Sequence, residues 1–137
     1  MSKCVLIVSG EGAHRDTLAS VISGYGLSPK TSSTADGARD LLARGNYAVV
    51  LCEDTLPDGD FRSVLAQVDR NSGRTPVIVV SRRADWDSYM VALAGGATDY
   101  VAFPPYPGEV ERSVQNALEL SRALAKVKPR LAVPTPQ

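Results

Sequence analysis

Glu53 and Asp54 follow directly on the apolar run Ala48-Val49-Val50-Leu51-Cys52, and Thr55-Leu56-Pro57-Asp58-Gly59-Asp60 comes straight after them. A short apolar run with β-branched members reads as a strand buried on both faces. Two carboxylates at the carboxyl end of such a strand stand where open α/β sheets bind ligands. The same pair also fits a plainer role, as acids marking the point where a strand meets solvent. A second candidate is Ser9-Gly10-Glu11-Gly12, a Gly-x-Gly turn behind the apolar run Val5-Leu6-Ile7-Val8. A dinucleotide site calls for a third glycine at position 15, which is Arg15, and the chain has no Gly-Lys-Ser/Thr phosphate loop. His14 falls in the first turn of the following helix and reads as a surface or capping residue. Asp16 does not face it on a helix, and no Ser-His-Asp signature is present.

The elements that must carry these residues alternate along the chain. Strands are predicted at Val5–Val8, Leu27–Ser33, Ala48–Cys52, Pro76–Ser81 and Thr98–Ala102. Helices are predicted from Ala13 to Ser23, from Thr34 as cap to Gly45, from Asp60 to Asp69, from Ala84 to Ala94 and from Pro107 to about Lys126. Asn71-Ser72-Gly73 breaks the third helix, and Phe103-Pro104-Pro105-Tyr106-Pro107 forms a rigid connector. Met90 and Leu93 are the expected core stripe of the fourth helix, with Trp86 one turn earlier and part buried. Five βα units call for a parallel sheet covered on both faces. The flavodoxin-like order 2-1-3-4-5, a three-layer (βα)5 sandwich, is one of the two common solutions. It brings Ser9-Gly10-Glu11, Glu53-Asp54, Ser81 and Phe103 to one crevice.

Composition limits the classes that remain. The 137 residues suit one core, placed at 1–125, and 44% hydrophobic content is too much for disorder. Residues 126–137, with Pro129, Pro134, Pro136, Lys126, Lys128 and Arg130, read as a Pro-rich basic tail or linker. Lys+Arg and Asp+Glu both number 15, so nothing draws the chain to nucleic acid or an anionic membrane. No run approaches the ~20 apolar residues of a membrane span, and the start is too soon polar for a signal peptide. Cys4 and Cys52 fall at opposite ends of their strands, so thiols rather than a disulfide are expected, in a cytoplasmic setting. Two cysteines and His14 make no metal site of usual spacing, and no cofactor is expected.

Taken in register, several segments resemble the receiver domain of two-component response regulators, over about residues 3 to 122. They are Val5-Leu6-Ile7-Val8 before Ser9-Gly10-Glu11, Glu53-x-x-Leu56-Pro57-Asp58-Gly59-Asp60, Thr75 to Ser81, Ala92 to Tyr100, and Phe103-Pro104. The resemblance implies a phosphoryl group accepted by an aspartate four residues before Pro57. It also implies Mg²⁺ held by acids from the first strand, a hydroxyl on the fourth strand and a lysine on the fifth. Here those positions hold Glu53, Ser9, Gly10, Ser81 and Phe103, so only Ser81 keeps its type. Glu11 is a nearby acid, and Arg82 is a long cation at the entrance.

The main expectation is therefore a degenerate pseudo-receiver, not an enzyme, that works through protein–protein contact without phosphorylation. Glu53 reads as an acid left in a pocket without chemistry. It also reads as a partial imitation of a phosphorylated aspartate, with Arg82 as a substitute cation. Alternatives are a working receiver with atypical acceptor chemistry, Asp54 taking the phosphoryl group, and a small flavodoxin-like ligand-binding domain. Asp54 is expected to point away from the side that Glu53 faces, because successive strand side chains alternate. The resemblance places partner docking or homodimer contact on the fourth helix, fifth strand and fifth helix, where Trp86, Tyr89, Tyr100 and Tyr106 lie. Tyr100 also fits a plain core tyrosine.

Overall fold

The computed structural model describes residues 3–71 and 75–127. In chain order the elements are β1 (Cys4–Val8), α1 (Gly12–Gly24), β2 (Ser28–Ser32), α2 (Ala35–Arg44), β3 (Val49–Glu53), β4 (Thr55–Leu56), β5 (Gly59–Asp60), α3 (Phe61–Asn71), β6 (Val77–Ser81), α4 (Trp86–Ala94), β7 (Asp99–Ala102) and α5 (Glu109–Val127). The main sheet is parallel with order β2-β1-β3-β6-β7. That is the expected 2-1-3-4-5 order once the extra hairpin β4-β5 is counted. The polar strand β2 lies at the edge, as its Ser28-Pro29-Lys30-Thr31-Ser32 sequence suggests.

Strand alternation divides the interior into two cores. Val5, Ile7, Val49, Leu51, Ile78, Val80 and Val101 face α1 and α5. Leu6, Val8, Val50, Cys52, Val77 and Val79 face α2, α3 and Ala92 of α4. Strands β3 and β6 are buried along their whole length, which is why their sequences are apolar without alternation. Cys4 starts β1 while Cys52 pairs with Val8 near the other end of the sheet, and no disulfide joins the two.

The hairpin β4-β5 is fixed by Asp58. Its two carboxylate oxygens accept the backbone N–H groups of Ala35 (2.8 Å) and Asp36 (3.0 Å) at the first turn of α2. These are donors that a helix start leaves without an internal partner. Thr34 caps the same helix by accepting from Gly37 N–H at 2.9 Å, as expected. Pinned there, Pro57 lies over Gly10.

Helix α4 departs from the sequence reading. Ala92 is its buried residue, while Met90 and Val91 are exposed and Leu93 is only half-buried. The run Met90 to Ala94 is continuously apolar, so its periodicity does not choose a face. Trp86 is 70% exposed rather than part buried. The break expected at Asn71-Ser72-Gly73 and the tail lie partly outside the described residues: α3 ends at Asn71 and α5 at Val127, and residues 72–74 and 128–137 are not described. Among the described residues, no helix is long and apolar enough to cross a membrane.

Candidate functional site

The carboxyl ends of β1, β3 and β6 meet at a cavity of about 450 Å³, lined by Gly10, Glu11, Glu53, Asp54, Ser81 and Arg82 among others. Strand parity sorts the polar side chains here into two groups. Ser9 continues the Val5, Ile7 series and Glu53 the Val49, Leu51 series, so both turn to the α1/α5 side. Asp54 continues from Cys52, and Ser81 from Val77 and Val79, so both turn to the other side.

On the first side Glu53 is only 6% exposed. Ser9 Oγ donates to its Oε1 at 2.5 Å, and His14 Nδ1 lies 2.9 Å from its Oε2. Ser9 Oγ also accepts the backbone N–H of Glu11 at 3.1 Å, which shapes the turn into α1. Arg15 closes the turn from outside, donating through Nη1 to the Ser9 carbonyl at 2.8 Å. The His14 ring packs on Phe103 with centroids 4.1 Å apart, and its side chain is 13% exposed. His14 is therefore not the surface residue its sequence position suggests. Helix α1 begins at Gly12, immediately behind β1, so its first turn lies over the strand ends and His14 turns inward.

On the second side Ser81 Oγ donates to Asp54 Oδ2 at 2.8 Å and accepts the Arg83 N–H at 3.0 Å. Asp54 points away from the side that Glu53 faces, as expected, yet it lines the same cavity, which straddles the strand ends. The expected single cluster around Glu53 is thus two: Ser81 belongs with Asp54, while Ser9 and Phe103 belong with Glu53. Arg82 is exposed at the rim, joined by Arg83, which the sequence reading did not single out. Cys52, behind the site, has its thiol pushed well up by burial and then by the neighbouring Glu53 charge.

The Mg²⁺ that the resemblance implies does not fit these residues. Glu53 has both oxygens engaged within the chain, and Asp54 holds Ser81. Gly10 offers no carboxylate, and a Cβ added to it would meet the Pro57 ring at 2.8 and 2.9 Å, closer than real Cβ contacts. Among the described residues no group of three or more His, Cys, Asp or Glu is placed to hold a metal ion.

The aromatic candidates form a separate region. Trp86 and Tyr89 lie 5.3 Å apart by ring centroids, and Tyr89 meets Tyr100 edge-on at 5.9 Å. The Tyr100 hydroxyl donates to the Arg83 carbonyl, which ties this row to the second side of the cavity. Tyr106 is 81% exposed, in the turn before α5.

No family model matches the chain. It is 28% identical over 124 residues to the response regulator protein PilR of Pseudomonas aeruginosa and 29% identical over 124 residues to the regulatory protein AtoC of Escherichia coli. It is also 26% identical over 124 residues to the transcriptional regulatory protein PmrA of Pectobacterium parmentieri. Each alignment takes in 90% of this chain, but 28%, 27% and 56% of those proteins, so the chain spans between about a quarter and a half of their length. The fold matches a CheY-like receiver domain protein from Methanospirillum hungatei with a TM-score of 0.81 at 19% identity, covering 90% of this chain and 99% of that one. It matches the beryllofluoride-activated NtrC4 receiver domain dimer with a TM-score of 0.80 at 24% identity, covering 87% and 98%.

Proposed function

We propose that this chain, supported by its relatives and its fold as a receiver domain of two-component response regulators, is a phosphorylation-independent member that signals by protein–protein contact. The observation that carries this reading is the internal engagement of Glu53. At the phosphoacceptor position, Oε1 takes the Ser9 hydroxyl and Oε2 takes His14. A carboxylate so held is not free to act as nucleophile toward a phosphodonor, and glutamate adds a methylene to the reach. Phe103, at the position of the phosphate-pairing lysine, offers an apolar ring and packs on His14 instead. On this reading the domain catalyses nothing, takes no cofactor and acts in the cytoplasm. Its contacts run through α4, β7 and α5, to a signalling protein or a second copy.

A second reading rests on Asp54. Ser81 Oγ lies 2.8 Å from Asp54 Oδ2, and Arg82 and Arg83 border the cavity, so a hydroxyl and two cations stand near a carboxylate. In that case the domain is a working receiver with a displaced acceptor. Intact-mass measurement after incubation with Mg²⁺ and a small-molecule acyl phosphate separates the two. The first reading expects no phosphoryl adduct on the wild type. An adduct mapped to Asp54 establishes the second, and an adduct on Glu53 overturns the account of its engagement.

A further inference from the structure

The α4 face keeps an apolar groove open to solvent. Trp86, Tyr89 and Tyr100 form a continuous aromatic row along it, over a floor of Ala84 and Ala102, with a volume of about 310 Å³. Tyr100 is held by the Arg83 carbonyl. Two acids border the groove. Asp85 caps α4 by accepting the Ser88 N–H at 2.7 Å, and that bond holds its carboxyl below the ordinary range. Glu109 accepts the Tyr106 N–H at 3.0 Å.

Aromatic rows with acids at the rim suit one kind of occupant. Proline rings lie flat on aromatic faces, and an extended proline-rich strand has little conformational freedom to lose on binding. Basic side chains then meet the acids and the indole face. This chain carries such a segment in Lys128-Pro129-Arg130-Leu131-Ala132-Val133-Pro134-Thr135-Pro136.

The basic part of the segment, Lys128 to Arg130, cannot serve its own groove. The 19 residues of α5 lead away from the groove at Glu109, and at 1.5 Å per residue they cover about 28 Å. An extended return at about 3.1 Å per residue needs about nine residues to come back. Residues 128–134 of the same chain therefore fall short, while those of a neighbouring molecule do not.

We propose that the Trp86–Tyr89–Tyr100 groove binds the basic, proline-containing segment 128–136 of a second copy of this chain. The proposal deepens the protein-contact reading by naming the occupant and the part of the surface it covers.

Trp86 is the only tryptophan in the chain, so its fluorescence reports on the groove alone. The test uses the full chain, diluted until light scattering shows monomer, and titrated with a synthetic peptide of residues 126–137. A saturable shift of Trp86 emission is expected. It weakens about tenfold with a peptide in which Lys128 and Arg130 are replaced by glutamate, and it weakens as salt is raised. At high concentration the full chain should form a dimer that Trp86→Ala and the Lys128→Glu/Arg130→Glu double variant both shift to monomer. No saturable shift, or equal binding of the charge-reversed peptide, overturns the proposal. So does a dimer that survives both sets of substitutions, since it must use another face. A phosphoryl adduct in the mass experiment would overturn the phosphorylation-independent reading and leave this peptide titration intact, so the two fail separately.

Discussion

Around Glu53 the chain turns its polar groups on one another, whereas around Trp86 it leaves its largest side chain in solvent. Glu53 is 6% exposed and has a partner on each oxygen, while Trp86 is 70% exposed and touches only Tyr89 among the aromatics. Both regions stand on neighbouring parts of one sheet. A buried carboxylate must be hydrogen-bonded or it destabilises the fold, so the Glu53 side has been closed from within. An exposed aromatic row faces no such requirement and stays available to a partner. On the proposed reading, the strand ends of this domain contribute to stability and the α4 face to recognition.

The sharpest way to break that contrast is His14→Ala. It leaves the Glu53 carboxylate buried with one oxygen unpaired, and the expected loss is about 2–3 kcal/mol, read as a fall in the urea midpoint at unchanged slope. Glu53→Gln keeps an acceptor for Ser9 and presents a donor to His14, so it should cost only about 1 kcal/mol. Trp86→Ala, by contrast, should stay within about 0.5 kcal/mol of wild type. A stable His14→Ala protein would mean that the Glu53 side is not closed in the way described. Next in size is Gly10→Ala. The added methyl meets the Pro57 ring at 2.8 Å, and because Asp58 ties that hairpin to α2 the ring is not free to move. A loss of about 1–3 kcal/mol is expected in the same assay. If Gly10→Ala is neutral, the hairpin yields, and the argument that a carboxylate at position 10 is excluded falls with it.

Much of this was legible in the residues. The apolar runs ending at Val8, Cys52 and Ser81 and the glycine stops at Gly45 and Gly95-Gly96 place the strands and most helices, because buried parallel strands admit few other patterns. The alternation rule also separates Asp54 from Glu53. The same rule, counted along Val77 and Val79, assigns Ser81 to Asp54, but a motif aligned by register treats strand ends as one cluster. His14 was out of reach for a different reason. Its inward turn depends on how tightly α1 follows β1, and on Phe103 arriving from the far strand, neither of which a local pattern records. Trp86 was misplaced because α4 has no apolar stripe to set its rotation.

The smallest effect lies where the two regions share a device. Asp58 caps α2 and Asp85 caps α4, and both carboxyls are held below the ordinary range, Asp58 mainly by the backbone N–H groups of Ala35 and then Asp36, Asp85 mainly by that of Ser88. A carboxyl whose pKa is lower folded than unfolded adds stability above the unfolded value, near 3.9, and loses it as pH falls through the folded value. Both caps are solvent-exposed, so each contribution is small and screened by salt. Urea midpoints measured from pH 6 down to pH 2 should therefore fall less steeply in Asp58→Asn and in Asp85→Asn than in the wild type. Asp58 also ties the hairpin that carries Pro57 over Gly10, so acid should loosen the Glu53 side through that residue and the Trp86 groove through Asp85. Peptide binding that weakens with acid in the wild type, and weakens less in Asp85→Asn, where Glu109 is the remaining rim acid, would separate the two routes.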